Sequence, residues 1–152
     1  LVRSRGLGDV YKRQVEQKRL RKEESRRMKV QENKTVRGYI RMCADGWKQG
    51  WHERNGGNLT YRMRPEETEA CRPYFYVSSQ WTDMGVQAEN LGGEYFLTTG
   101  SGKYFRNVKD DPEHNIGIVE INEAGSAWRI VWGLEGGAKP TSEFPSHFLN
   151  RL

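Results

Sequence analysis

The chain has 152 residues, enough for one ordinary domain, with 35% hydrophobic residues, a formal charge of +5 and a mean hydropathy of −0.92. Its two cysteines, Cys43 and Cys71, form no C-x-x-C pair, which excludes a disulfide framework or a cysteine zinc site, and no apolar run reaches the roughly 20 residues of a membrane-spanning helix. The charge is unevenly placed: residues 1–27 carry ten basic against four acidic residues, and the remainder carries fifteen against sixteen, so the near-neutral remainder has no general attraction for a polyanion.

Residues 1–14, LVRSRGLGDVYKRQ, look foreign to the rest of the chain and resemble translated adapter sequence. Residues 15–27 are charged and have no apolar face. Both are expected to lie outside the fold as a non-native leader, disordered or helical, with Met28 opening a single domain over residues 28–152. The competing reading is a basic nucleic-acid arm, but such an arm interleaves aromatics for base stacking and this one does not. Neither a nucleic-acid nor a membrane partner is expected. The leader has no apolar core of the secretory type, so a cytoplasmic location is expected.

From Thr35 the pattern is helical. Val36, Tyr39, Ile40, Cys43, Trp47 and Trp51 recur at spacings of three and four and make one apolar stripe. Thr35 is the expected cap and Gly50 the expected terminator. The turn Asn55-Gly56-Gly57-Asn58 comes next, leading into a strand over Asn58–Met63 with Leu59 and Tyr61 on one side. Residues 65–93 have weak periodicity and read as a long surface connection, with a short strand at Tyr74–Val77. Glu94–Thr99 is a strand by β-propensity, and it runs into Gly100-Ser101-Gly102-Lys103. That turn is not a nucleotide-binding P-loop, because the pattern's first glycine and its Ser/Thr after the lysine are here Leu97 and Tyr104. Ile116–Ile121 and Ala127–Trp132 form an antiparallel pair joined by the Asn122–Ser126 turn. Pro140-Thr141-Ser142-Glu143-Phe144-Pro145 then opens a helix of which Leu152 leaves only about two turns, so the chain is expected to be truncated at its C-terminus.

Three polar turns thus sit at element ends: Asn55–Asn58, Gly100–Gly102 and Thr141–Glu143. Asparagine and glycine permit positive φ and a close backbone approach, and successive N–H groups in such turns can enclose an anion. A helix start adds a favourable dipole. A phosphate held by all three would set the Glu143 carboxylate beside the ligand, where it could move a proton. Spacing alone leaves a second reading open, in which Glu143 only caps its helix.

The motifs GWHERNGGNLT (Gly50–Thr60), TGSGKYFRNV (Thr99–Val108), IGIVEI (Ile116–Ile121), IVWGL (Ile130–Leu134) and PTSEFPSHFL (Pro140–Leu149) resemble those of the L-rhamnulose-1-phosphate aldolase family, within the class II aldolase/adducin superfamily. The resemblance covers Met28 to Leu152 and corresponds to roughly the first half of the family's subunit. It implies an α/β fold with a central, mainly antiparallel sheet flanked by helices, and a homotetramer when full length. It also implies cleavage of L-rhamnulose 1-phosphate, a small sugar phosphate, to dihydroxyacetone phosphate and L-lactaldehyde. Asn55, Gly57, Asn58, Ser101, Gly102, Thr141 and Ser142 would then bind the substrate phosphate and neighbouring oxygens, with Glu143 as the catalytic acid/base. Zinc is implied as the Lewis acid. Its family ligands are three histidines, two in an H-x-H pair that this chain lacks; His52, His114 and His147 stand apart, and none is assigned to metal. The chain alone is therefore expected to be inactive. Alternatives are a related sugar-phosphate aldolase or epimerase, or a non-catalytic adducin-like interaction domain.

Overall fold

The computed structural model describes residues 2–50, 57–77 and 79–144. Two helices lead: α1 (Val2–Glu32) and α2 (Lys34–Lys48). A short strand β1 (Thr60–Arg62) is followed by α3 (Pro65–Cys71), a 3-10 turn at Arg72–Tyr74, β2 (Thr82–Asp83) and a second 3-10 turn at Glu89–Leu91. Then come β3 (Tyr95–Thr99), two one-turn helices α4 (Phe105–Val108) and α5 (Pro112–Asn115), β4 (Ile116–Ile121) and β5 (Ala127–Gly133). The strands make one antiparallel sheet in the order β1-β3-β4-β5-β2. The mixed architecture with a central antiparallel sheet agrees with the fold expected from sequence.

Side-chain alternation along the strands splits the core into two layers. Leu97, Ile116, Ile118 and Trp132 face α2, where Val36, Tyr39 and Cys43 are buried, together with Val30 of α1, Cys71 of α3 and Phe105 and Val108 of α4. Phe96, Val119, Ile121 and Ile130 face the other way, against Met84, Ala88, Leu91 and Phe144. A bulge lies between these sets in β5: Ile118 pairs with Trp132 but Val119 pairs with Ile130, leaving Val131 without a register partner. Val131 and Trp132 consequently face the same layer, as two successive side chains do at a bulge.

Three details differ from the sequence reading. The α2 cap is Asn33, whose side chain accepts from Thr35 N at 2.9 Å, so Thr35 lies inside the first turn. Asparagine ranks above threonine at a cap, and here the chain breaks from α1 at that residue. The expected strand at Tyr74–Val77 does not form. Tyr76 N–H instead bonds, at 2.8 Å, to the Val131 carbonyl at the bulge. Finally, α3 stands where a loop was expected. Pro65 fixes its first turn and Glu67 closes it from within, the carboxylate accepting from Arg64 N at 2.9 Å. A seven-residue helix with Cys71 as its only apolar core residue leaves no periodic signal.

The leading helix α1 is continuous, but Leu7, Val10, Tyr11, Val15 and Leu20 are all exposed and only its end reaches the core through Val30. Arg19 pairs with Glu16 and Glu23 along it, as surface pairs that contribute little each.

Candidate functional site

The described parts of the three polar loops, from Gly57 onward in the first, lie together at one end of the sheet, and Thr99, the last residue of β3, joins them. The Thr99 amide donates to Leu59 O at 3.2 Å and its hydroxyl oxygen accepts from Leu59 N at 3.1 Å. Its carbonyl accepts from Thr141 N at 2.9 Å. Gly100 bridges Pro140 in antiparallel fashion, Ser101 N donates to Lys139 O at 2.8 Å and Gly100 N to Asn115 O at 2.8 Å. The Gly57–Leu59, Gly100–Gly102 and Lys139–Glu143 segments are thus adjacent through backbone hydrogen bonds, whose fixed geometry aligns them closely.

What each residue presents is different. Gly57 is buried and Asn58 half-buried, next to Leu59. Ser101 and Gly102 are exposed; Gly102 has φ 70°, with open space where a Cβ would stand. Gly100 is enclosed, and a Cβ there would meet Lys103 Cγ at 2.8 Å and Leu134 Cδ2 at 2.9 Å. Thr141 is buried, and its hydroxyl oxygen accepts from Glu143 N at 3.4 Å while Phe144 N reaches Thr141 O at 3.0 Å. These bonds suit a helix start capped by threonine; the helix expected from sequence lies outside the described residues. Ser142 and Glu143 are exposed beside the anchored Thr141. Asn55, with Gly56, also lies outside the described residues, as do His52 and His147.

Beneath the loops, Tyr39 of α2 is 2% exposed, and its hydroxyl donates to Leu59 O at 2.6 Å. Burial, with Cys43 nearby, pushes the phenol well above its ordinary range, so it stays a donor at neutral pH. Burial likewise pushes the Cys43 thiol up to about 12 and the Cys71 thiol up to about 11. Both are inert packing residues. Sequence reasoning placed Tyr39 in a core stripe and Thr99 in a strand. Nothing in one sequence distinguishes a stripe tyrosine that packs from one whose hydroxyl also holds a loop.

A cavity of about 420 Å³ adjoins the Gly102 turn and is lined by Lys103, Tyr104, Asn107, Asp111 and His114 among others. Asp111, Glu113 and His114 offer ligand atoms within 4.8 Å of one another. Two of the three are engaged with each other, His114 Nδ1 lying 2.8 Å from Asp111 Oδ1, and Glu113 accepts from Gln31 at 2.7 Å. His114 is the only histidine among the described residues. The described residues therefore do not assemble the three-histidine set that the resemblance implies for zinc.

The family model described as "Class II Aldolase and Adducin N-terminal domain" matches residues 37–149. The chain belongs to this family. It is 42% identical over 115 residues to a rhamnulose-1-phosphate aldolase of Klebsiella pneumoniae subsp. pneumoniae, covering 76% of this chain and 42% of the relative. It is 40% identical over 117 residues to one of Yersinia pestis, covering 77% and 43%. A crystal structure of a sugar-phosphate aldolase from Thermotoga maritima superposes with a TM-score of 0.56 at 29% identity, covering 74% of this chain and 44% of that one. The chain is thus rhamnulose-1-phosphate aldolase-like in sequence, and it spans about two fifths of the length of the curated relatives it matches.

Proposed function

We propose that this chain is the N-terminal part of a class II aldolase that cleaves L-rhamnulose 1-phosphate to dihydroxyacetone phosphate and L-lactaldehyde. The observation that carries the reading is the adjacency of three polar loops around Thr99, with Glu143 two residues beyond the Thr141 anchor. Asn55, Gly57, Asn58, Ser101, Gly102, Thr141 and Ser142 bind the substrate phosphate and its neighbouring oxygens. Backbone N–H groups and small hydroxyls suit this task, since they can surround an oxyanion without bringing a competing bulky charge. Anchoring them on the sheet end reduces the ordering cost of binding. Glu143 is the acid/base: exposed at the mouth of the loops, its carboxylate can exchange a proton with a bound sugar.

Zinc would supply Lewis-acid stabilisation of the enediolate, held by the family's histidine ligands, none of which is assigned within this chain. The active form of the whole protein is a homotetramer in the cytoplasm, and this chain by itself lacks turnover. Residues 28–152 belong to the catalytic domain and residues 1–27 lie outside it. The exposed face of α1 and the family match beginning at residue 37 support that boundary.

The test is an assay of the whole protein with L-rhamnulose 1-phosphate, following dihydroxyacetone phosphate through its reduction by a coupled dehydrogenase. Zinc-dependent release is expected, and none from residues 1–152 alone. Interconversion of the sugar phosphate with no triose released would identify an epimerase instead. Phosphate binding without any conversion would point to an interaction domain.

A further inference from the structure

We propose that the hydrogen-bonded cluster of Tyr39, Leu59 and Thr99 is the positioning device that sets the Gly57–Leu59 loop against the Gly100–Gly102 loop for ligand binding; this rests on the phosphate-site reading. Each polar group of Leu59 is committed. Its N–H goes to Thr99 Oγ1 at 3.1 Å, and its carbonyl accepts from Tyr39 Oη at 2.6 Å and from Thr99 N at 3.2 Å. Three bonds therefore meet at Leu59: its N–H to Thr99 Oγ1, Thr99 N–H to its carbonyl, and Tyr39 O–H to the same carbonyl. Bonds that share one residue polarise one another in a low-dielectric interior. Thr99 is 1% and Tyr39 2% exposed, so both side chains are shielded from solvent.

Two features make this cluster more than general packing. It spans three elements, α2, the loop before β1, and β3, and it meets at the residue whose carbonyl also holds Thr141. It also contributes no group to the ligand: Thr99 and Tyr39 are buried, and both hydroxyl oxygens bond to the Leu59 backbone. Tyr39 and Thr99 are therefore positioning residues, acting through the loops that carry Asn58, Ser101 and Thr141. A loop shift of a few tenths of an ångström is enough to lengthen several N–H contacts to a phosphate at once.

The experiment compares purified residues 1–152 with Thr99→Val, Thr99→Ser and Tyr39→Phe. Each is titrated with inorganic phosphate and followed by phosphorus NMR, and each is unfolded in urea to separate affinity from stability. Thr99→Val keeps the side-chain shape and removes the hydroxyl, leaving the Leu59 N–H unpaired; phosphate affinity is expected to fall about tenfold. Thr99→Ser restores the hydroxyl and is expected to bind within about twofold of the original chain. Tyr39→Phe should weaken binding about threefold. If Thr99→Val does not fold, Tyr39→Phe decides: a folded Tyr39→Phe variant with unchanged affinity overturns the inference. So does a folded Thr99→Val variant that binds normally, or a Thr99→Ser variant as weak as Thr99→Val. If the unmutated chain itself binds no phosphate, the site reading falls and the inference with it.

Discussion

Both ends of the sheet carry turns rich in glycine, serine and asparagine, and they use those residues in opposite ways. At the far end the Asn122–Ser126 turn points its polar groups inward. The Asn122 side-chain oxygen accepts from Ser126 N at 2.8 Å and Ala127 N at 3.1 Å, and its amide donates to Ser126 Oγ at 3.1 Å. The glycines there are pressed against backbone: a Cβ on Gly125 would lie 2.1 Å from Ala88 O, and one on Gly92 would lie 2.2 Å from Glu123 O. At the Thr99 end the inward bonds are made by main chain and by buried Thr99, Thr141 and Tyr39, so Ser101, Gly102, Ser142 and Glu143 remain at the surface. Residue composition alone does not distinguish a turn that closes a hairpin from one that can receive a ligand. The destination of each hydrogen bond does.

The largest expected effect separates chemistry from folding at the open end. Glu143→Gln in the whole protein should lower kcat by at least about a hundredfold, the ordinary contribution of a positioned acid/base. Because Glu143 is exposed, the melting temperature should stay within a degree or two. A loss of stability with unchanged kcat would make Glu143 a capping residue after all. At the closed end the balance reverses. Gly125→Ala forces a side chain to φ 69° and into the Ala88 carbonyl, and should destabilise the chain by about 3 kcal/mol, read by urea denaturation. Phosphate affinity of the molecules still folded should be unchanged. Gly102→Ala is the matching control: φ is 70° but the space is open, so it should lose only about 1 kcal/mol from backbone strain while affinity falls.

The contrast also explains what was legible in the sequence. The α2 stripe, β3, the β4–β5 hairpin and the bounds of β4 follow from periodicity and β-propensity, because each buries a repeating apolar face. Even here Ile40 and Trp47 are only half-buried at the stripe's margin, and Trp51 lies outside the described residues. What lacked such a face was missed. α3 is stabilised by Pro65 and a buried glutamate, and the Tyr76 amide bonds to a carbonyl at a bulge, which hydropathy does not register. The three polar turns could be recognised as turns, and their order in the chain carries the family resemblance. Their meeting at Thr99 depends on strand order and register, which no local pattern encodes. Thr99 itself reads as an ordinary strand residue.

A smaller effect tests whether the closed end depends on its internal bonds. Asn122→Ala removes the acceptor for two backbone N–H groups and should destabilise by about 2 kcal/mol. Hydrogen exchange at Ser126 and Ala127 should quicken, with no change at Leu59. Faster exchange at Leu59 as well would mean that the two ends unfold together and are not separable parts.

Glu67 gives the smallest effect, and it asks whether inward-directed polarity outside the hairpin follows the same rule. It is 8% exposed and accepts from Arg64 N at 2.9 Å, Arg64 Nη2 at 3.0 Å and the Tyr61 hydroxyl at 3.0 Å. Burial favours the protonated acid, but the bonds from the Arg64 backbone, its guanidinium, Tyr61 and Thr35 outweigh it and hold the carboxyl below its ordinary value of 4.5. A carboxyl depressed in the folded state binds its proton more readily when unfolded. Its stabilising contribution is therefore complete above about pH 4.5 and is lost as the pH falls through the lower folded value. Glu67→Gln should cost about 1 kcal/mol at neutral pH and flatten the acid limb of the stability profile. Phosphate affinity should not move, since Glu67 sits on α3 and none of the groups that hold its carboxylate lies in the three loops. A Glu67→Gln chain whose acid limb matches the original would mean that the exposed carboxylates, and not this inward-bound one, set the acid sensitivity of the fold.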